Sequence, residues 1–200
     1  MTRSLARIPL ILLALGACFK APTASWQPVR VVVENYLTEP VTIVSGGTTY
    51  GTFSSRTTPL ALPPGAATLT WTPTAPLFSD STPMPTDLTA QTTALAAGYD
   101  TVTITNVVNG QAYVSPLLVN LSGDTVDAAI VNGGTLRFCA QLGTANLQLA
   151  YYLLTSNVEV RVYPKRTNCT GTTYSSWTHA YLAGYQANSG VIQVNINAAP

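Results

Sequence analysis

Alternation of apolar and polar residues is the strongest pattern in this chain of 200 residues. Val29, Val31 and Val33 fall on one face of an extended strand, and residues 67–72 and 158–163 repeat the same period of two. This period predicts β-strands with one buried face. We find no convincing helical stripe in the sequence, so the pattern predicts an all-β protein.

Turn residues separate the predicted strands. Gly46-Gly47 and Asn109-Gly110 are each two-residue hairpin signals, because glycine and asparagine accept the left-handed backbone that such turns need. Residues 73–90 contain four prolines and no periodicity, which indicates a loop or a connection between units. Many short strands separated by turns are typical of an antiparallel β-sandwich.

The chain contains an internal repeat. The segment NYLTEPVTIVSGGT begins at Asn35, and NLSGDTVDAAIVNGGT begins at Asn120. Both have an acidic residue four positions after the asparagine and a Gly-Gly-Thr hairpin signal further on. The repeat predicts two small Ig-like β-sandwich units in tandem, which span residues 29–112 and 113–200.

The N-terminus has the pattern of an export signal. Arg3 and Arg7 precede a short apolar run at residues 8–15. This run is too short for a transmembrane helix, which needs about 20 apolar residues. A basic start followed by a short apolar region predicts a signal peptide, here residues 1–17.

Leu15-Gly16-Ala17-Cys18 resembles the lipobox of bacterial lipoproteins. The resemblance implies that Cys18 receives a diacylglycerol, that cleavage occurs before it, and that its new amine is acylated. Several acyl chains would anchor the protein stably in a membrane. Phe19 in place of the aspartate that retains inner-membrane lipoproteins implies the outer membrane, on its periplasmic or surface face. An ordinary signal peptide with an accidental cysteine is the alternative.

The mature protein would begin with a tether at residues 18–28, which is small, polar and proline-marked. Removal of Arg3 and Arg7 leaves seven basic and eight acidic side chains, a net charge near −1. With no basic patch in the sequence, we expect no nucleic-acid partner.

Two cysteines remain once Cys18 is acylated. Cys139 and Cys169 form an even pair in an exported chain, which predicts a disulfide. Two buried free thiols are the alternative. A zinc site is disfavoured, because only His179 could join the two cysteines and zinc usually has four ligands.

The search for catalytic chemistry identifies no candidate set. His179 is the single histidine, and no nucleophile elbow accompanies it. Asp124 and Asp127 could share a calcium ion, but no dense acidic ligand run surrounds them. We therefore expect no enzyme activity, no cofactor and no metal.

Aromatic residues concentrate near the C-terminus. Tyr174, Trp177, Tyr181 and Tyr185 lie within twelve residues of one another. Rigid amphipathic rings on loops suit the recognition of proteins or sugars, so these four are candidate ligand-binding residues. The alternative is that the rings cap the open ends of a sandwich core.

Residues 29–72, and more loosely residues 113–197, resemble the DUF4397-type domains of bacterial envelope lipoproteins. Gly47 and Gly51 fit the hairpin of that family, and Pro63 and Gly65 fit its P-x-G turn. The resemblance implies small Ig-like or transthyretin-like modules without catalytic residues.

The expected function is that of a lipid-anchored envelope protein with a non-enzymatic binding or scaffolding role. Its expected partners are the membrane, through Cys18, and an envelope protein or a glycan. A glycan-binding surface lipoprotein that uses the aromatic residues in 174–185 is the alternative.

Overall fold

The computed structural model describes residues 29–54, 56–78, 81–154, 157–180 and 189–197. The predicted signal peptide, Cys18 and the tether lie outside these residues. The described residues form sixteen strands and no helix, so the predicted all-β fold class is confirmed. Accordingly, the described part of the chain offers no helix that is long and apolar enough to cross a membrane.

The first unit is a sandwich of two sheets. Its three-stranded sheet has the order β4-β1-β7, and its four-stranded sheet has the order β3-β2-β5-β6. The strands are β1 (Val29–Asn35), β2 (Val41–Ser45), β3 (Thr48–Phe53), β4 (Thr58–Leu62), β5 (Thr68–Pro73), β6 (Gln91–Ala94) and β7 (Tyr99–Ile104).

A short strand and a long one lead into the second unit, which continues with seven more strands. They are β8 (Val107–Val108), β9 (Gln111–Asn120), β10 (Val126–Asn132), β11 (Thr135–Leu142), β12 (Leu147–Gln148), β13 (Tyr152–Leu153), β14 (Val158–Tyr163), β15 (Ser175–His179) and β16 (Val191–Ile196). One sheet has the order β11-β10-β14-β15, and the other contains β12, β9 and β16, with β8 and β13 also paired to β9.

The two units share one topology. The pairings of β1 with β4 and β7 match those of β9 with β12 and β16. The pairings β3-β2-β5-β6 match β11-β10-β14-β15. Even the β-bulge recurs, after Ile43 in β2 and after Ile130 in β10. The repeat seen in the sequence is therefore a repeat of the whole sandwich.

The strand patterns alone predicted antiparallel sheets. Most strand pairs are antiparallel, but each unit also contains one parallel pair. In each unit the last strand pairs with the first in parallel, β7 with β1 and β16 with β9. The reason lies in the connections. The chain crosses to the opposite sheet before its last strand, so it returns in the same direction as the first strand.

Alternation along the strands builds a separate core in each unit. Val29, Val31 and Val33 are buried against Leu69 and Trp71 in the first core. The second core contains residues from β9, β10, β14 and β16, among them Leu118, Ile130, Val160 and Val194. The predicted hairpin turns at Gly46-Gly47 and Asn109-Gly110 have the left-handed backbone that was expected there.

The two units meet at what we call the joint, where the turn 35–40 contacts Tyr151 and residues 86–87 contact Tyr151 and Leu153. Tyr151, from the second unit, is buried in the first core, and so is Tyr113 at the start of β9. The proline-rich connection contributes Met84 to the second core and Leu88 to the first. The connection therefore packs against both units.

Hydrogen bonds reinforce the joint. The Tyr151 hydroxyl accepts the Thr38 N–H at 3.2 Å and donates to the carbonyl oxygen of Ser189 at 2.5 Å. The Asp87 carboxylate forms an ion pair with Arg137 and accepts the Leu153 N–H at 3.0 Å. This half-buried ion pair, whose carboxylate also accepts a backbone N–H, restricts movement between the two units more than an exposed pair would.

Candidate functional site

A disulfide pins one loop of the second unit to its outer face. Cys139 on β11 is bonded to Cys169, which lies in the connection between β14 and β15, and their Cα atoms are 6.0 Å apart. This confirms the predicted pairing. We call residues 164–173 of this connection the strap.

Asp127 provides a second attachment for the strap. Its buried carboxylate accepts the Arg166 N–H at 3.2 Å and the Asn168 N–H at 2.8 Å. Arg166, Asn168 and Cys169 all have left-handed backbone angles, so the strap holds a conformation that these residues rarely adopt. The Asp127 carboxylate thus serves the strap rather than an ion shared with Asp124. Within the described ranges, no group of three or more His, Cys, Asp or Glu side chains could hold a metal ion.

The distal end of the second unit, opposite the joint, is built from the turn 120–125 and the strap. β9 runs from the joint to Asn120, and the pairing of Asp127 with Tyr163 brings the end of β14 beside that turn. An open cleft of about 360 Å³ lies between the turn and the strap. This distal cleft is lined by Gly123, Asp124, Thr125, Val126, Lys165 and Tyr174.

The distal cleft combines an aromatic ring with two opposite charges. Tyr174 is 38% exposed, and Asp124 and Lys165 are both exposed. The two ion pairs among the described residues join Arg137 to Asp87 and Arg161 to Glu159. The charges of Asp124 and Lys165 are therefore available to a bound molecule.

A second open cleft, of about 340 Å³, lies on the other side of the strap. Its lining is polar apart from the disulfide and one alanine, and it consists of Asp127, Cys139, Ala140, Gln141, Arg166 and Asn168. The strap thus separates two clefts, each of which has one basic residue on its wall. The disulfide holds the boundary between them.

The four candidate aromatic residues have different environments. Tyr174 lines the distal cleft. Trp177 is half-buried, packs against the second core and stacks on His179 with ring centroids 5.6 Å apart. Tyr181 and Tyr185 lie outside the described residues. Trp177 thus fits the core-capping alternative, whereas a ligand-binding role for these residues stays a prediction.

His179 shares a face of β15 with Trp177. The two rings are nearly parallel, with an angle of 6° between their planes. Burial lowers the pKa of His179, which favours the neutral form of its imidazole. Its environment is that of a packing residue at the edge of the second core.

Sequence reasoning missed the burial of Glu39, which it noted only as the acidic residue of the first repeat. Glu39 is 6% exposed, and neither of its carboxylate oxygens has a hydrogen-bond partner among the described residues. Burial raises the pKa of this carboxyl to about 8. The repeat did mark this position, since an acidic residue occupies it in both copies. It could not show that the joint buries the acid of the first copy and leaves the acid of the second copy exposed.

Comparisons with known proteins identify no family. No protein-family model matches the chain, and no curated protein matches it. The resemblance to DUF4397-type domains therefore stays a prediction.

Among solved structures, the chain is similar to a streptococcal ancillary pilin, with a TM-score of 0.31, 9% identity, and coverage of 86% of this chain and 63% of that one. It is also similar to the Bacillus anthracis TIE protein, with a TM-score of 0.30, 9% identity, and coverage of 86% and 34%. The shaft pilin SpaA of Lactobacillus rhamnosus GG gives a TM-score of 0.27 and 11% identity, with coverage of 86% and 98%. The chain thus spans less than two thirds of the first two neighbours. All three TM-scores are low, so these similarities carry no argument about function.

Proposed function

We propose that this protein is a lipid-anchored component of the bacterial cell envelope, with a non-enzymatic binding or scaffolding role. The observation that carries the proposal is the placement of the clefts. β1 begins at Val29, where the tether from Cys18 would join the first unit. The distal cleft lies beyond the joint, at the far end of the second unit. An anchor and a binding surface would then occupy opposite ends of one body.

The joint supports this arrangement. Tyr151 and Leu88 lie in the first core, and Met84 lies in the second. Because side chains of both units and of their connection are packed together, the two sandwiches are restrained from moving as independent bodies. A restrained body would hold its distal end away from the membrane.

The proposal includes acylation of Cys18, and Phe19 favours the outer membrane. DUF4397-like modules belong to the same proposal, because that family consists of envelope lipoproteins. The second unit has polar clefts, and its Asp124 and Lys165 form no ion pair among the described residues. These features favour a binding role over a catalytic one.

The anchor is tested by expressing the full chain and its Cys18→Ser variant in a bacterial host that processes lipoproteins. We expect metabolic labelling with palmitate and recovery in the membrane fraction for the unmodified chain, and neither for the variant. A Cys139→Ser, Cys169→Ser double variant is the control and should still be labelled. Membrane recovery of the Cys18→Ser variant would refute the anchor.

The binding role is tested by crosslinking the native lipoprotein in its own membranes and identifying partners by mass spectrometry. A protein partner in fixed stoichiometry supports a scaffolding role. Recovery of the lipoprotein alone argues against that role and leaves binding of a glycan.

A glycan-binding function is the second candidate. Its support is the distal cleft, where the exposed Tyr174 ring lies beside Asp124 and Lys165. Aromatic faces stack on sugar rings, and carboxylates accept hydrogen bonds from sugar hydroxyls.

A further inference from the structure

The distal end of the second unit is the structural counterpart of the joint end of the first. Asn35 binds the carbonyl oxygen of Glu39 through its side-chain amide, and Asn120 binds that of Asp124 in the same way. The turns 35–40 and 120–125 therefore correspond residue by residue. Thr38 matches Gly123, and Glu39 matches Asp124.

In the joint, a tyrosine hydroxyl occupies the space below the first turn. The Thr38 N–H and Oγ1 both lie 3.2 Å from the Tyr151 hydroxyl. Glu39 is buried beside this contact. The turn 35–40 is thus completed by an aromatic ring that carries a hydroxyl.

At the distal end the corresponding groups line an open cleft. The Gly123 N–H makes no hydrogen bond to any described residue. Asp124 is exposed where Glu39 is buried. Among the described residues, the Gly123 N–H therefore lacks the hydroxyl partner that the Thr38 N–H has in the joint, and Asp124 lacks the cover that buries Glu39.

We propose that the distal cleft binds a saccharide that carries a carboxylate, with a sugar hydroxyl in the position that the Tyr151 hydroxyl has in the joint. The Gly123 N–H donates to that hydroxyl, and the Asp124 carboxylate accepts from a neighbouring one. Tyr174 stacks on the sugar ring, and Lys165 pairs with the sugar carboxylate. The proposal rests on the glycan-binding candidate named above.

The strap makes this site pre-organised. Lys165 is within the strap and Tyr174 follows it directly, while the disulfide and the Asp127 carboxylate hold its backbone. A loop that is already ordered loses less conformational entropy when it binds a ligand. The attachment of the strap therefore favours binding even though the cleft is open.

The test is a titration of the mature chain carrying Cys18→Ser, followed by amide NMR. The probes are trisaccharides of glucuronate and galacturonate, with the neutral trisaccharides of glucose and galactose as references. We expect shifts at Gly123 and Asp124, and tighter binding of a uronate than of its neutral counterpart by about fivefold.

Three variants separate the roles. Tyr174→Ala should weaken binding of both kinds of probe by about tenfold. Lys165→Ala should weaken uronate binding alone. Tyr99→Ala is the control, because Tyr99 is 62% exposed but lies at the start of β7, at the opposite end of the protein. The control should bind like the parent chain.

Binding that is insensitive to Tyr174→Ala overturns the proposal. The absence of amide shifts with every probe at a concentration of about 10 mM also overturns it, because the Kd would then be weaker than such a site needs. Unchanged amide spectra outside the cleft show that each variant is folded. The titration uses the unanchored chain. Failure of the titration therefore does not refute the lipid anchor, and failure of the palmitate test does not refute the saccharide site.

Discussion

Asn35 and Asn120 make the same hydrogen bonds at the same place in the two sandwiches. The amide of Asn35 donates to the carbonyl oxygens of Glu39 and Phe53, and its Oδ1 accepts the Leu37 N–H. The amide of Asn120 donates to the carbonyl oxygens of Asp124 and Gly143, and its Oδ1 accepts the Ser122 N–H. Each asparagine thus ties the end of the first strand to the end of the third.

Replacement of either asparagine by alanine should destabilise the protein, but by different amounts. Leu37 and Glu39 are buried under the joint, so Asn35→Ala leaves their backbone groups without partners and should cost about 2–3 kcal/mol. Asp124 is exposed, so water can replace part of the loss in Asn120→Ala, which should cost about 1 kcal/mol. Urea unfolding measures both.

Gln193→Ala is the control for this comparison, because the Gln193 side chain bonds only to the exposed Asn195 side chain among the described residues. It should change the free energy of unfolding by less than about 0.5 kcal/mol. Equal losses for the two asparagine variants would contradict the unequal burial of the turns.

The neighbouring tyrosines of the joint should respond oppositely to loss of their hydroxyls. Tyr151→Phe removes the acceptor of the Thr38 N–H and the donor to Ser189, and should cost about 1–3 kcal/mol. Tyr152 is equally buried, but its hydroxyl has no partner among the described residues, so Tyr152→Phe should be neutral or stabilising.

Amide hydrogen exchange at Thr38 provides the specific readout. Tyr151→Phe should accelerate exchange there, and Tyr152→Phe should leave it unchanged. Equal protection of Thr38 in both variants would show that the Tyr151 hydroxyl does not restrain the joint.

Stability should fall as pH rises from about 4.5 to about 8. The pKa of Glu39 is about 8 in the folded protein because of burial, against an ordinary value of 4.5. The folded chain therefore binds more protons than the unfolded chain between these values. The contribution of Glu39 is fully present below pH 4.5 and is lost once the pH passes 8, with a slope of at most about 1.4 kcal/mol per pH unit.

Glu39→Gln isolates this effect, because the amide stays neutral at every pH. The free energy of unfolding of the parent chain minus that of Glu39→Gln should decline across the window and level off above it. Urea titrations at half-unit steps measure the difference. A difference that does not vary with pH would mean that the Glu39 carboxyl is solvated in the folded protein.

Reduction of the disulfide should destabilise the second unit. The bond closes a loop of 30 residues, so its loss should lower the free energy of unfolding by about 3–4 kcal/mol. Urea unfolding of the Cys18→Ser chain, with and without dithiothreitol, measures the loss. A chain that also carries Cys139→Ser and Cys169→Ser should be insensitive to the reductant; continued sensitivity would place the effect elsewhere.

Local sequence patterns predicted the local structure well. Alternation at Val29, Val31 and Val33 identified a buried face, and Gly46-Gly47 identified a hairpin, because both depend on near neighbours. The repeat beginning at Asn35 and Asn120 identified the duplication. Cys139 and Cys169 were paired by elimination.

Features that depend on distant contacts were out of reach. Glu39 and Asp124 look alike in the sequence, yet the joint buries one and leaves the other exposed. Tyr151 lies in the second half of the chain but packs in the first core. The parallel pairing of β7 with β1 likewise follows from the path of the chain between sheets, which alternation does not encode.

That parallel pairing also determines how the protein responds to mechanical force. In each unit the chain enters through the first strand and ends with its parallel neighbour, β1 with β7 and β9 with β16. Tension between the two ends of the chain pulls these neighbours in opposite directions along their length. The load is then shared by the hydrogen bonds of six consecutive residue pairs in each unit, instead of breaking them one after another. Both sandwiches are therefore built to resist stretching.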